Sequence, residues 1–220
     1  MNPADPDLTR NIMEPPLVVA KLGGSLLACT DLAERLRTLL ATLQWCRILI
    51  VVGGGPAADV VRDWSQRHSL SEDAAHWLAI QSLSLTRGLV QDLLPECEVT
   101  ESPVNARELW RTRRVPLLLN LEACLRRAEF DDPSPLPHTW GVTSDSIAAW
   151  IASRWKAREL ILIKSIPLPA GKTLESASQA GIVDDHFPII GRQVSRINWC
   201  HLLAGSPCIQ TWRCESVNAR

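Results

Sequence analysis

Lys21 stands just ahead of Gly23, Gly24 and Ser25, directly after the apolar run Leu17-Val18-Val19-Ala20. A second apolar run, Ile48-Leu49-Ile50-Val51-Val52, stops at Gly53-Gly54-Gly55. A run rich in β-branched residues, halted by glycines and followed by helical periodicity, reads as strand, tight turn, helix. Glycine lets the backbone come close to a ligand, and the next helix offers free N–H groups and a positive dipole end. Two such turns with a lysine beside the first make a pocket suited to a polyanion, so phosphate chemistry is the leading reading. Ordinary turn chemistry would explain a single glycine. Three in a row exceed that need and cost folding entropy.

Further along, Thr143-Ser144-Asp145-Ser146 opens a helical segment, and Lys164 closes the run Leu160-Ile161-Leu162-Ile163. Capping and the helix dipole alone explain an aspartate in a first turn. A lysine at a strand end is ordinarily solvated. His138 precedes the Thr-Ser-Asp turn, where an imidazole can serve acid–base chemistry or structure equally well. Asp184 and His186 read as a polar turn. Arg107, Arg111, Arg113 and Arg114 fall on a helix and its exit, where they could bind a phosphate, but a solvated face is the preferred reading.

The elements that must position these residues alternate along the chain. Strands are expected at 17–22, 47–52, 115–119 and 159–163. Helices are expected from Thr30 to Leu43, Pro56 to His68, Ser71 to about Leu94, 103–113, 121–128 and Thr143 to about Lys156. Residues 131–142 hold Pro133, Pro135 and Pro137 and must be a loop. Beyond a loop at 165–172, helical patterns at 173–180 and 185–194 and strands at 196–203 and 207–212 complete the chain. Strands alternating with helices predict an α/β fold, a three-layer α/β/α sandwich with a mainly parallel sheet. Residues 1–16 read as a flexible leader and 17–220 as a single domain.

Composition bounds the rest. The 220 residues carry 46% apolar and 21% charged side chains, as a globular chain does, and a formal charge of −1 that gives no global attraction to nucleic acid or anionic membrane. There are nine tryptophans and no tyrosine; Trp77, Trp110, Trp150 and Trp155 are expected in the core or a subunit interface. The seven cysteines are scattered without C-x-x-C spacing, which suits reduced thiols rather than a zinc or redox site. The polar, proline-rich start is unlike a signal peptide, and no apolar run approaches the roughly 20 residues of a membrane span. A cytoplasmic protein is therefore expected. Walker A and the dinucleotide fingerprint are both absent.

Lys-x-Gly-Gly-Ser at the end of one strand, Gly-Gly-Gly after the next, and Thr-Ser-Asp-Ser opening a later helix together resemble the amino acid kinase superfamily. That superfamily includes acetylglutamate, aspartate, uridylate and isopentenyl phosphate kinases, and the resemblance covers residues 17–165. The stretches Pro137–Trp150 and Ala180–Pro188 resemble its archaeal and methylotroph branch linked to methanofuran biosynthesis. Characterised members of that branch are similar to aminomethylfuran phosphate kinase, which adds a second phosphate to a furan-methyl phosphate.

The resemblance implies ATP and Mg²⁺, a small-molecule acceptor that is a phosphomonoester rather than a carboxylate, and a homo-oligomer. It assigns Lys21 to stabilising the transferring phosphoryl group, Lys164 to a second, nucleotide-side lysine with Lys172 as the alternative for that role, and Asp145 to holding the lysines in place. Asp145 need not act as a base, because a phosphorylated acceptor is already ionised. Gly23, Gly24, Ser25, Ser165, Gly171 and Lys172 fall on the nucleotide side. Gly53, Gly54, Gly55, His138, Thr143 and Ser144 fall on the acceptor side, with the acceptor between the two glycine turns. No protein metal ligand is expected. Two departures stand out: Lys164-Ser165-Ile166-Pro167-Leu168-Pro169-Ala170-Gly171-Lys172 replaces a Thr-Asp-Val-Asp-Gly-like segment, and Gly141 stands where relatives carry an acid. A carboxylate kinase making an acyl phosphate is one rival reading. A nucleotide-binding regulatory protein without turnover, which the altered loop would suit, is another.

Overall fold

The computed structural model describes residues 14–132 and 134–214. Seven strands form one sheet: β1 (Leu17–Leu22), β2 (Arg47–Val52), β3 (Glu98–Thr100), β4 (Leu117–Leu119), β5 (Glu159–Lys164), β6 (Arg196–His201) and β7 (Ile209–Cys214). Their order is β3-β4-β2-β1-β5-β6-β7, and every pairing is parallel except β6 with β7. Eight helices cover the sheet: α1 (Leu32–Thr42), α2 (Gly55–Arg67), α3 (Glu72–Leu93), α4 (Pro103–Thr112), α5 (Leu121–Asp131), α6 (Ser144–Arg154), α7 (Leu174–Gln179) and α8 (Phe187–Gly191). A short 3₁₀ turn, Gly24–Ala28, follows β1. The α/β sandwich with a mainly parallel sheet is as expected.

The central strands β1, β2 and β5 are buried almost throughout because both faces of the sheet are covered. Alternation divides their side chains between two cores. Val18, Ala20, Leu22, Ile161 and Ile163 pack against the α1 side. Leu17, Val19, Leu160 and Leu162 pack against the side holding α6. The same period of two places Lys21 and Lys164 on the α6 side. Helix α6 is itself buried from Asp145 to Ala152 and carries its apolar residues all round, as a helix enclosed by sheet and neighbouring helices does.

Three expectations needed correction. The strand β3, Glu98-Val99-Thr100, lies at the sheet edge in a span assigned no element, since three residues are too few to show a period. The 3₁₀ turn at 24–28 lies where no helix was expected. The helix expected over 185–194 shrinks to Phe187–Gly191. Of the expected leader, 1–13 lie outside the described residues. Pro15 accepts from Arg47 Nε at 2.7 Å, and Glu14 pairs with Arg47 Nη1 at 2.6 Å. Trp150 is buried, and Trp77, Trp110 and Trp155 pack partly buried against the same core. No described helix is long and apolar enough to cross a membrane.

Candidate active site

Parallel strands all end on the same side of the sheet, so β1, β2 and β5 deliver their final residues to one edge, above which α6 begins. There Asp145 lies between two lysines. Its Oδ1 stands 2.8 Å from Lys21 Nζ and its Oδ2 2.7 Å from Lys164 Nζ. The three side chains are 5%, 12% and 7% exposed for Lys21, Lys164 and Asp145, so the charges sit in a medium that screens them poorly. Burial alone would raise the Asp145 carboxyl; the two lysines outweigh it and hold it at about 2. Burial and the neighbouring Lys21 charge push the Lys164 ammonium down, with Asp145 opposing them. Lys164 Nζ also donates to the Ile182 carbonyl at 3.0 Å. Lys21 and Lys164 share Asp145, and the Asp184 carboxylate lies within electrostatic reach of Lys164.

The glycine turns are pressed together rather than apart. A Cβ on Gly24 would stand 2.2 Å from the Gly55 amide nitrogen, and one on Gly55 would stand 2.6 Å from the Gly24 carbonyl oxygen. Gly55 also has φ +50°, which glycine adopts without strain. The two turns abut at Gly24 and Gly55, and the opening lies beside that contact. A cleft of about 420 Å³ is lined by Gly24, Ser25, Gly54 and Gly55 on one side and by Thr139, Trp140, Thr143 and Ser144 on another. Ile80, Leu83 and Ile147 give it an apolar floor, while Asp59, Arg62 and His76 add polar groups.

Arg62 lies over the Trp140 ring at 4.9 Å and pairs with Asp59 at 3.0 Å. Burial, helped by His138, pushes the His76 imidazole down to about 4, against the pull of Asp73, so it is neutral near pH 7. The first-turn N–H groups of the 3₁₀ turn and of α2 have no partners within their own helices. Both face this edge of the sheet.

The remaining expected site residues distribute as follows. Thr143 and Ser144 line the cleft. Ser165 Oγ lies 3.0 Å from Ser25 Oγ, closing one side of the 3₁₀ turn. Gly23 is held by its N–H to the Ile163 carbonyl at 2.8 Å, and Gly53 by its N–H to the Leu22 carbonyl at 2.9 Å. His138 is not in the cleft wall: its Nδ1 meets Asp73 and its Nε2 meets Glu129, both at 2.6 Å, and its ring stacks on His76 at 4.2 Å. Gly171 is exposed with φ +65°. Lys172 lines a different groove with Arg192 and Trp212, and its carbonyl accepts from Trp212 Nε1 at 2.9 Å.

Asp184, read from sequence as part of a polar turn, caps α6. It accepts from the Thr143 and Ser146 amides at 3.0 and 2.9 Å, from both hydroxyls, and from the Phe187 amide at 3.0 Å. A carboxylate thereby caps the start of α6, and the helix aims Asp145 toward the two lysines. Nothing local in the sequence signals this contact, which spans 38 to 41 residues. Arg62 was legible in principle, since it follows Gly55, Ala58 and Asp59 on one face of α2.

The fold and this charged edge define a class of protein, and comparison with known families agrees with it. The profile of the amino acid kinase family matches residues 16–167, and the chain belongs to that family of small-molecule kinases. Over 187 residues the chain is 27% identical to a (5-(aminomethyl)furan-3-yl)methyl phosphate kinase of Methanocaldococcus jannaschii, covering 80% of this chain and 82% of that one. Among solved structures, uridylate kinase of Archaeoglobus fulgidus superposes with a TM-score of 0.56 at 20% identity, over 82% of this chain and 88% of that one. Aspartate kinase of Synechocystis gives a TM-score of 0.62 at 14% identity, over 90% of this chain and 40% of that one. Both share the fold.

Proposed function

We propose that the protein transfers the γ-phosphoryl group of ATP to a phosphomonoester on a small ring compound, of the (aminomethyl)furan-methyl phosphate type, giving a diphosphate. The carrying observation is Asp145 locked between Lys21 and Lys164 at 2.8 and 2.7 Å. Phosphoryl transfer asks the protein chiefly to position reactants and stabilise charge on the moving group. Two lysines fixed by one carboxylate provide that without rearrangement. The carboxylate itself is committed: held at about 2, it cannot take a proton from an acceptor near neutrality. His76 is neutral but tucked against His138, and Asp184, the other carboxylate within electrostatic reach of Lys164, is engaged in capping α6. An acceptor that is already ionised suits such a site, which favours a phosphate over a hydroxyl.

In this reading Lys21, Lys164, Gly23, Gly24, Ser25 and Ser165 hold the ATP phosphates, while Lys172 lines a separate groove and neither it nor Gly171 is given that role. The cleft beside Gly54 and Gly55 takes the acceptor, with Arg62 toward its phosphate and Thr143 and Ser144 along its edge. Ile80, Leu83, Ile147 and Trp140 provide a wall for a small ring, and Asp59 is the one acid in the lining, positioned for an aminomethyl group. Among the described residues no three His, Cys, Asp or Glu side chains gather as a metal site. Mg²⁺ therefore fits best as an ion carried by the nucleotide phosphates, where it neutralises their charge. Methanofuran-type cofactor synthesis, a cytoplasmic setting and a homo-oligomer belong to the same proposal, supported by the family resemblance.

The test is phosphorus NMR of the protein with Mg-ATP and aminomethylfuran-methyl phosphate, isopentenyl phosphate, UMP, acetylglutamate or aspartate. A diphosphate signal with the furan phosphate supports the reading. A product trapped by hydroxylamine would instead identify an acyl phosphate and a carboxylate kinase. ATP binding without turnover on any acceptor would point to a regulatory protein.

A further inference from the structure

The opposite edge of the sheet carries a second cavity. Where the catalytic lysines gather at the strand ends, this groove of about 450 Å³ opens at the strand starts. Pro15 precedes β1, Trp45, Cys46 and Arg47 lead into β2, and Arg114 and Val115 lead toward β4; α4 closes the wall with Arg107, Trp110 and Arg111. Nothing in the transfer reaction calls on these residues.

Their charge state sets them apart. Elsewhere arginines are matched with acids: Arg35 with Asp31, Arg37 with Glu96, Arg67 with Asp63, Arg126 with Glu122, Arg154 with Asp132. Arg107, Arg111 and Arg114 line the groove with no ion pair or side-chain hydrogen bond among the described residues. Arg47 spends one nitrogen on Glu14 and lies over the Trp110 ring at 5.6 Å. The remaining acid in the lining is Glu108, one carboxylate against the three unmatched guanidinium groups. Two indoles complete the wall. Trp45 is 75% exposed, an unusual position for so large an apolar surface. Trp110 is partly buried and presents its ring to Arg47.

We propose that this groove is a second binding site, for a small planar aromatic compound carrying a phosphate or comparable multiply charged anionic group. Arg107, Arg111 and Arg114 receive the anion through forked, charge-assisted hydrogen bonds. Trp45 receives the ring by stacking, and the ring pays back the exposure of the indole. An anion without a ring would leave Trp45 uncovered; a ring without an anion would leave the guanidinium groups unmatched. The proposal is independent of the acceptor chosen by the catalytic cleft.

The full chain would be titrated calorimetrically with 1-naphthyl phosphate, 1-naphthol and inorganic phosphate. The expected result is binding of 1-naphthyl phosphate that exceeds both fragments. Arg111→Gln/Arg114→Gln should weaken it about tenfold or more, and Trp45→Ala should weaken it too, with turnover unchanged in both variants. Rising salt should weaken the wild-type binding. Affinity unchanged in the double arginine variant would overturn the site, as would loss of binding confined to Arg62→Gln, which places the probe in the catalytic cleft.

Discussion

The two edges of one parallel sheet handle positive charge in opposite ways. At the carboxyl edge, Lys21 and Lys164 are buried and both share Asp145, so their positions are fixed before any substrate arrives. At the amino edge, Arg107, Arg111 and Arg114 stand open, with no ion pair among the described residues. Buried cations without a counter-charge would be too costly to keep; exposed ones need none, because water solvates them. A carboxylate among the lysines thus makes a rigid charged site possible inside the fold. Adaptable recognition belongs to the exposed edge and fixed electrostatics to the buried one.

The contrast can be broken most severely at Lys21. Lys21→Ala removes a preorganised charge and leaves Asp145 with one partner; turnover should fall about 100- to 1000-fold, read by steady-state phosphate transfer. Gly24→Ala should come next, because its methyl would meet the Gly55 backbone at 2.2 Å and neither chain segment can step aside. A loss of about 1–3 kcal/mol in denaturant unfolding is expected, with most activity gone.

A gentler test uses pH. Asp145 ionises at about 2 in the folded chain against 3.8 ordinarily, so its contribution is present above pH ~4 and is lost as pH falls toward ~2. That contribution is about 2 kcal/mol, and the decrement should be missing in Asp145→Asn. Arg62→Gln should act more narrowly, raising the acceptor KM about tenfold while leaving the KM for ATP in place. Smallest of all, Arg111→Gln/Arg114→Gln should leave kcat unchanged, since the exposed edge takes no part in transfer.

Much of the buried edge was legible from residues alone. Apolar runs ending in glycine located β1 and β2, whereas the shared face of Lys21 and Lys164 depends on how β1 and β5 pair. The resemblance supplied Asp145, whose place in a first helical turn has a sufficient local explanation. What stayed hidden was long-range. Asp184 reaches Thr143 and Ser146 across the fold, and the abutting glycine turns depend on how β1 and β2 pair rather than on either turn. His138, next to the Thr-Ser-Asp turn in sequence, is drawn away by Asp73 and Glu129, which lie on different helices. At the exposed edge, Arg107, Arg111 and Arg114 read as a solvated helix face because nothing local shows that Trp45 and Arg47 complete the wall.

The central claim is that Asp145 works by fixing two lysines and not by moving a proton. Asp145→Asn, measured for kcat across pH alongside thermal unfolding and ATP binding, tests it most directly. The account predicts a folded variant that still binds ATP, with kcat about 100-fold lower or less and no new dependence on pH between about 5 and 8. Wild-type turnover in a folded Asp145→Asn protein would contradict it, as would a loss of rate that returns when an external base is added.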